Sequence, residues 1–268
     1  MSSLLMPHFT QYAPSAIIDG KRTWMVGGDL LMDEGQLVDY AKRRARIAAN
    51  PPPAEDAGLI VKTNAANHYL RWAADKVLTY RVRASTFGAH YQTIVDSLSR
   101  AAESWQQICL VRFEHRADLD ELPGTGAAGA VFWVEFDSAG ANHYYADAFA
   151  PDTIPASRRL KIYPAYFGGN MLYDPVGLLR HELGHILGFQ HEHEANGAPA
   201  ECIGDPAPIV DPGALTPYDR WSVMHYLCRS NATGAISAGS IKLEFTQLDK
   251  IAAQALYGMP QALYQVVQ

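Results

Sequence analysis

The sequence predicts an α+β fold: a mixed, twisted sheet with one helix behind it, then a helix bearing chemistry, an irregular lower half and a C-terminal helix. Three observations predict it. Residues 77–82 (VLTYRV) alternate as a strand, and Ile94, Leu98, Ala101, Trp105 and Ile108 follow at helical spacing. Residues 174–188 are apolar at Val176, Leu179, Leu183, Ile186 and Leu187 and stop at Gly188, a good helix terminator. After that helix the chain turns rich in Pro, Gly and Asp, then resumes helical character at residues 246–257.

The first 50 or so residues differ from the rest. One helical stretch is expected at 33–49, ending in the basic run KRRAR, and the triplet Pro51 to Pro53 reads as an extended, exposed linker. The domain division is therefore placed at 1–66, an N-terminal segment, and 67–268, a packed domain. Beyond the first strand and its helix, further strands are expected at 109–113 (CLVRF), 130–136 (AVFWVEF) and 159–163 (RLKIY). The last helix opens with Thr246 and carries Asp249 three residues later, a capping-box spacing.

Composition narrows the function classes. Hydrophobic residues are 48% of the 268, enough for a sizeable core, and the net charge of −6 comes without any Lys/Arg track suited to phosphates, so nucleic acid is not the expected partner. No run approaches the roughly 20 apolar residues of a membrane span, and the N-terminus shows no signal peptide, which is absent or removed before this numbering begins. The cysteines are Cys109, Cys202 and Cys228. Cys202 and Cys228 flank a Pro- and Asp-rich loop, where a disulfide would contribute about 3 to 4 kcal/mol, so that pair is the expected bridge.

The motif HELGHILGFQH, from His181 to His191, carries the chemistry. On a helix, positions i and i+4 share a face, so His181 and His185 can converge on one ion. Gly188 lets the chain leave the helix in a left-handed turn, and His191 can swing back as the third nitrogen ligand. Three neutral imidazoles leave a coordination position for water, which suits a catalytic Zn2+ site rather than a closed structural one. Glu182 stands where its carboxylate reaches that water without binding the metal, as a general acid/base must. His193 reads as a solvated loop residue and His225 as a structural neighbour of the SVMHY turn, residues 222–226.

Taken together, these motifs resemble the astacin family of metzincin zinc endopeptidases, in a bacterial-type branch. The resemblance rests on HELGHILGFQHE, on SVMHY with Tyr two residues after Met, on FTQLDKIAAQALYG and on AAESWQQICLVRF, and spans about residues 70 to 258. It implies a two-subdomain fold and a secreted monomer that hydrolyses proteins or peptides with one zinc ion. Met224 would pack beneath the metal histidines as the Met-turn. Tyr226 would be a loosely held zinc ligand that swings away to stabilise the oxyanion. Residues 26–29 (VGGD) are similar to a propeptide motif that places an aspartate, here Asp29, on the zinc in place of water, with cleavage expected between about residues 50 and 67. Glu192 would anchor the new N-terminus, and residues 144–149 (YYADAF) would form the sheet edge that receives substrate.

The sequence departs from the family as well. HEHEANG replaces a longer Arg- and Asp-containing run, and Gly258 or Met259 stands where the terminal Cys would be, so Cys109 lacks a family partner. Two other readings make different demands. A catalytically silent zinc-binding module would have a replaced Glu182, and a serralysin-like enzyme would carry C-terminal Gly- and Asp-rich repeats; the sequence has Glu182 and lacks such repeats.

Overall fold

The structure, a computed structural model, describes residues 15–18, 21–26, 29–38, 58–64, 66, 68–139, 144–195, 198, 214–226 and 238–260. The expected linker at Pro51 to Pro53, the expected helix beyond residue 38 and the pair Cys202 and Cys228 lie outside these residues. No described helix is long and apolar enough to cross a membrane.

The body is built on a five-stranded, mostly parallel sheet. β5 (Val77–Val82), β6 (Arg112–His115), β7 (Phe132–Phe136) and β9 (Arg159–Ile162) run parallel in the order β6-β5-β7-β9, and the two-residue β8 (Ala146–Asp147) closes one edge antiparallel to β9. Parallel neighbours need crossovers, and the first is α1 (Tyr91–Ile108), which buries Ile94, Leu98, Ala101, Trp105 and Ile108 against the sheet as their spacing predicts. The expected strand at 109–113 starts later, at Arg112. Cys109 still donates its N–H to Trp105 O, so the helix end consumes the first part of that run.

α2 (Pro175–Leu187) packs against α1, and α3 (Gln247–Tyr257) touches α1 as well. α2 starts where Asp174 accepts the Gly177 N–H at 3.0 Å and Pro175 takes the first helical position, whose N–H would be unpaired in any case. Its last carbonyls are satisfied from outside the helix, by Trp72 Nε1 on Ile186 O (2.7 Å) and Tyr257 Oη on Leu187 O (2.5 Å). Trp105 Nε1 donates to Arg180 O at 2.9 Å, and its ring lies flat on Phe189, which locks α1 to α2 and to the chain just beyond its end.

The N-terminal residues contain strands that the sequence reading does not anticipate, ahead of the start of the helix it does expect at 33–49. β1 (Ser15–Ile18), β2 (Lys21–Val26) and β3 (Leu30–Asp33) form an antiparallel meander, followed by helical residues 34–38. Trp24, Met32 and Leu37 are buried there, outside the core cluster of the body.

The body also begins earlier than residue 67. β4 (Gly58–Ile60) pairs with β10 (Ala214–Thr216), and Leu59 and Val61 belong to the main core. Residues 60–62 run alongside the exit of α2: Gln190 N–H donates to Ile60 O, and Lys62 N–H donates to Gly188 O, both at 2.8 Å. The expected boundary at 66/67 leaves residues 58–62, which make these pairings, on its N-terminal side.

Candidate metal centre

α2 brings His181 and His185 to one face, and the left-handed turn at Gly188 (φ +103°) returns the chain so that His191 meets them. Only glycine serves at that turn. Beyond the unfavourable φ, a Cβ at residue 188 would stand 2.4 Å from Leu70 O. Each of the two helical rings is oriented from behind. His181 Nδ1–H donates to Val223 O at 2.8 Å and His185 Nδ1–H to Phe189 O at 2.9 Å, which leaves both Nε2 lone pairs facing the centre.

In that centre lies the carboxylate of Asp29. Its Oδ1 is 2.9 Å from His191 Nε2 and 3.5 Å from His185 Nε2, and its Oδ2 is 3.3 Å from His181 Nε2. His185 Nε2 and His191 Nε2 are 3.2 Å apart. Four ligands at about 2.0–2.1 Å from one tetrahedral zinc would stand about 3.3–3.4 Å from one another, so the donor set fits that ion in both chemistry and spacing. All four side chains are buried, and they are the metal-competent cluster found among the described residues.

The electrostatics follow from burial. Burial alone would raise Asp29, but His191, His185 and His181 hold it well below the usual carboxylate range. Burial depresses His181 to about 4, so its ring stays neutral and available as a ligand. Glu182 is fully buried with both carboxylate oxygens unpartnered, and burial, Asp29 and Asp147 together push it well above its ordinary value. A buried carboxylate without a donor is costly, and a water held beside it would satisfy it.

The SVMHY turn forms the floor. Met224 is buried beneath α2, and a Cβ at Gly184 would stand 2.4 Å from its sulfur, so the small residue and the thioether are matched. Asp249, identified from sequence only as a capping residue of α3, also holds the turn. Its carboxylate takes the Ser222 hydroxyl (2.6 Å) and the Val223 N–H (2.9 Å), which fixes the turn and through Val223 O orients His181. The sequence signal for this residue is the capping box itself, present as expected.

Tyr226 stacks on His181 (4.5 Å, 25°), and its hydroxyl donates to Asp29 Oδ2. Glu192 is buried, accepts the Asp219 N–H at 2.7 Å and is raised to about 9 by burial and the nearby carboxylates of Asp249 and Asp219. His193 departs from its expected place in solvent: its ring stacks on His191 at 4.6 Å and its Nδ1 faces the Tyr226 N–H at 3.4 Å. His225 is a neighbour of the turn as expected, donating from Nδ1 to Tyr226 O at 2.5 Å and meeting the Tyr218 hydroxyl at 2.7 Å. Cys109 is a free, buried thiol held up at about 12 by burial, far from the reactive range.

At the expected substrate edge, Ala148, just after β8, is paired with the N-terminal segment: its N–H donates to Asp29 O at 2.9 Å, and Leu30 bridges it in parallel.

No family model and no curated protein matches the chain. Many solved structures are similar to it, among them these two. One is myroilysin, at 14% identity and a TM-score of 0.47, covering 75% of this chain and 98% of that one. The other is high choriolytic enzyme 1, a hatching-enzyme zinc protease of the medaka fish Oryzias latipes, at 17% identity and a TM-score of 0.43, covering 75% of this chain and 99% of that one.

Proposed function

We propose that the chain is a zinc-dependent endopeptidase of the astacin type, secreted as a latent precursor whose N-terminal segment blocks its own metal centre. The observation that carries this reading is the convergence of three imidazole Nε2 atoms and one carboxylate at zinc-ligand spacing, beside a buried and unpartnered glutamate. The fold has two halves in this reading: the sheet with α1 and α2 above, the SVMHY turn and α3 below, and the substrate cleft between them.

His181, His185 and His191 would hold the ion, which when bound supplies a Lewis acid that brings the pKa of water towards 7 and polarises a carbonyl. Glu182 takes the proton of the attacking water and passes it to the leaving nitrogen. The Tyr226 hydroxyl, released once Asp29 leaves, donates to the oxyanion. Substrate lies along the edge at 146–148, using the backbone positions that Asp29 and Leu30 now take. Latency follows from position, since Asp29 occupies the place of the water. Cleavage that frees the segment without removing a strand of the body falls within residues 39–57, upstream of β4 and narrower than the sequence alone suggests.

Metal analysis of the purified chain and hydrolysis of a peptide library after removal of the segment test the reading, with Glu182→Ala as control. One zinc per chain is expected. Glu182→Ala should keep the metal and lose hydrolysis by about 10²–10⁴-fold, the usual contribution of a general base. A chain that binds no zinc, or a Glu182→Ala variant within about tenfold of the parent, sinks the proposal.

A further inference from the structure

The N-terminal segment touches the body at a second polar point, away from the metal ligands. Gln36 Nε2 lies 3.2 Å from Asp152 Oδ1 and 3.2 Å from Thr153 Oγ1, on the turn that continues the edge strand. The amide is oriented before it arrives. Its Oε1 accepts the Asp33 N–H at 3.0 Å while Asp33 Oδ1 accepts the Gln36 N–H at 2.9 Å, a reciprocal cap that turns Nε2 outward.

The receiving side is equally fixed. Thr153 is buried, with its N–H on Ala150 O and its own carbonyl taking Arg158 Nε at 2.8 Å. Asp152 Oδ1 also accepts Lys62 Nζ at 2.8 Å, and the Lys62 side chain is only 3% exposed. That ion pair sets the ligand chemistry. A cationic side chain would be repelled by Lys62 and an anionic one by Asp152, whereas a neutral carboxamide has a donor for both acceptors and adds no charge.

We propose that Asp152 and Thr153, with Lys62 behind them, form a carboxamide-binding subsite at the end of the cleft. Gln36 fills it in the intact chain, and a Gln or Asn side chain of the substrate fills it once the segment has left. The proposal rests on the reading that the segment lies in the substrate's place. Asp29 in the metal cluster, Leu30 on Ala148 and Gln36 on this turn are successive points of one stretch, so a peptide in the same groove meets the same three anchors.

Two measurements that need no turnover test it. In the intact chain, Gln36→Ala should speed hydrogen exchange of the Ala148 amide, which is bonded to Asp29 O, by about fivefold, the worth of a lost hydrogen bond. Dissociation constants of library peptides on the freed Glu182→Ala chain should show one position where Gln or Asn binds about fivefold more tightly than Ala, Lys or Glu, and Thr153→Ala should bring that ratio near one. Unchanged exchange in Gln36→Ala, absence of any amide-preferring position, or a preference that survives Thr153→Ala overturns the subsite. A failed protease reading shows instead as missing hydrolysis or zinc, with these ratios intact.

Discussion

Helix α2 is buried along its whole length after Pro175, with its Arg180, Ile186 and Leu187 carbonyls taking side-chain donors from three other parts of the chain, Trp105, Trp72 and Tyr257. In the N-terminal segment Trp24, Met32 and Leu37 are buried outside the core cluster of the body, and the segment's polar ties to the body include the Asp29 carboxylate and carbonyl and the Gln36 amide. The two regions meet at one set of histidines, one as part of the body's core and the other through these polar ties. An element fixed by apolar burial leaves only when the body unfolds, while one fixed by a few hydrogen bonds and an ionic contact can be released with the body intact.

Variants can break or sharpen that contrast. The largest effect is expected for His191→Ala, which removes one of the three ligands proposed from the body; a share of about 3 to 4 kcal/mol per ligand corresponds to roughly 10²- to 10³-fold weaker zinc binding. Competition with a chelating dye measures it, and affinity within tenfold of the parent would mean that another group completes the site. Gly188→Ala should destabilise the whole body by about 3 kcal/mol, from left-handed strain together with the approach to Leu70 O. Urea unfolding reads this, and a loss under about 0.5 kcal/mol would show that the turn relaxes without harm.

Asp29→Ala acts on the other region. It should leave the unfolding midpoint of the body in place while raising the peptidase activity of the uncleaved chain by about 100-fold, equivalent to about 2.7 kcal/mol of latching. A variant as quiet as the parent would mean that the segment blocks the cleft by bulk alone. The smallest effect is expected for Ile17→Ser on β1, since that side chain is 72% exposed: less than about 0.5 kcal/mol, with latency unchanged. A larger change would place β1 against a partner surface.

The same contrast runs through what the sequence makes legible. Helical spacing locates α1 and its buried residues, Asp174 and Gly188 bound α2, and Thr246 with Asp249 opens α3, because burial and capping write themselves into local patterns. The meander has local signals of the same kind: Asp19-Gly20, a hairpin-type pair, stands between Ile18 and Lys21, which pair with each other, and Asp33 with Gln36 spells a capping box. Joining Leu59 to the body is harder. Its strand is three residues long and pairs with β10 more than 150 positions away, and no local period records such a partner. His193 escapes sequence reasoning for the same reason, since its stacking on His191 depends on how the chain turns after α2 rather than on its neighbours in sequence.

The contact between Asp29 and the histidines spans 152 to 162 positions, and that with Tyr226 spans 197. A ribosome adding about 5 to 20 residues per second therefore finishes the meander roughly 10 to 40 seconds before its partners emerge. The meander consists of neighbouring hairpins and can form in that interval, whereas the three histidines have no floor until residues 222–226 follow. By the time the pocket can take up its ion, the carboxylate that fills it is already tethered to the same chain at high local concentration. If the segment blocks the centre as proposed, the cell making this protein would on that account meet it closed from the first molecule, with no open interval during synthesis.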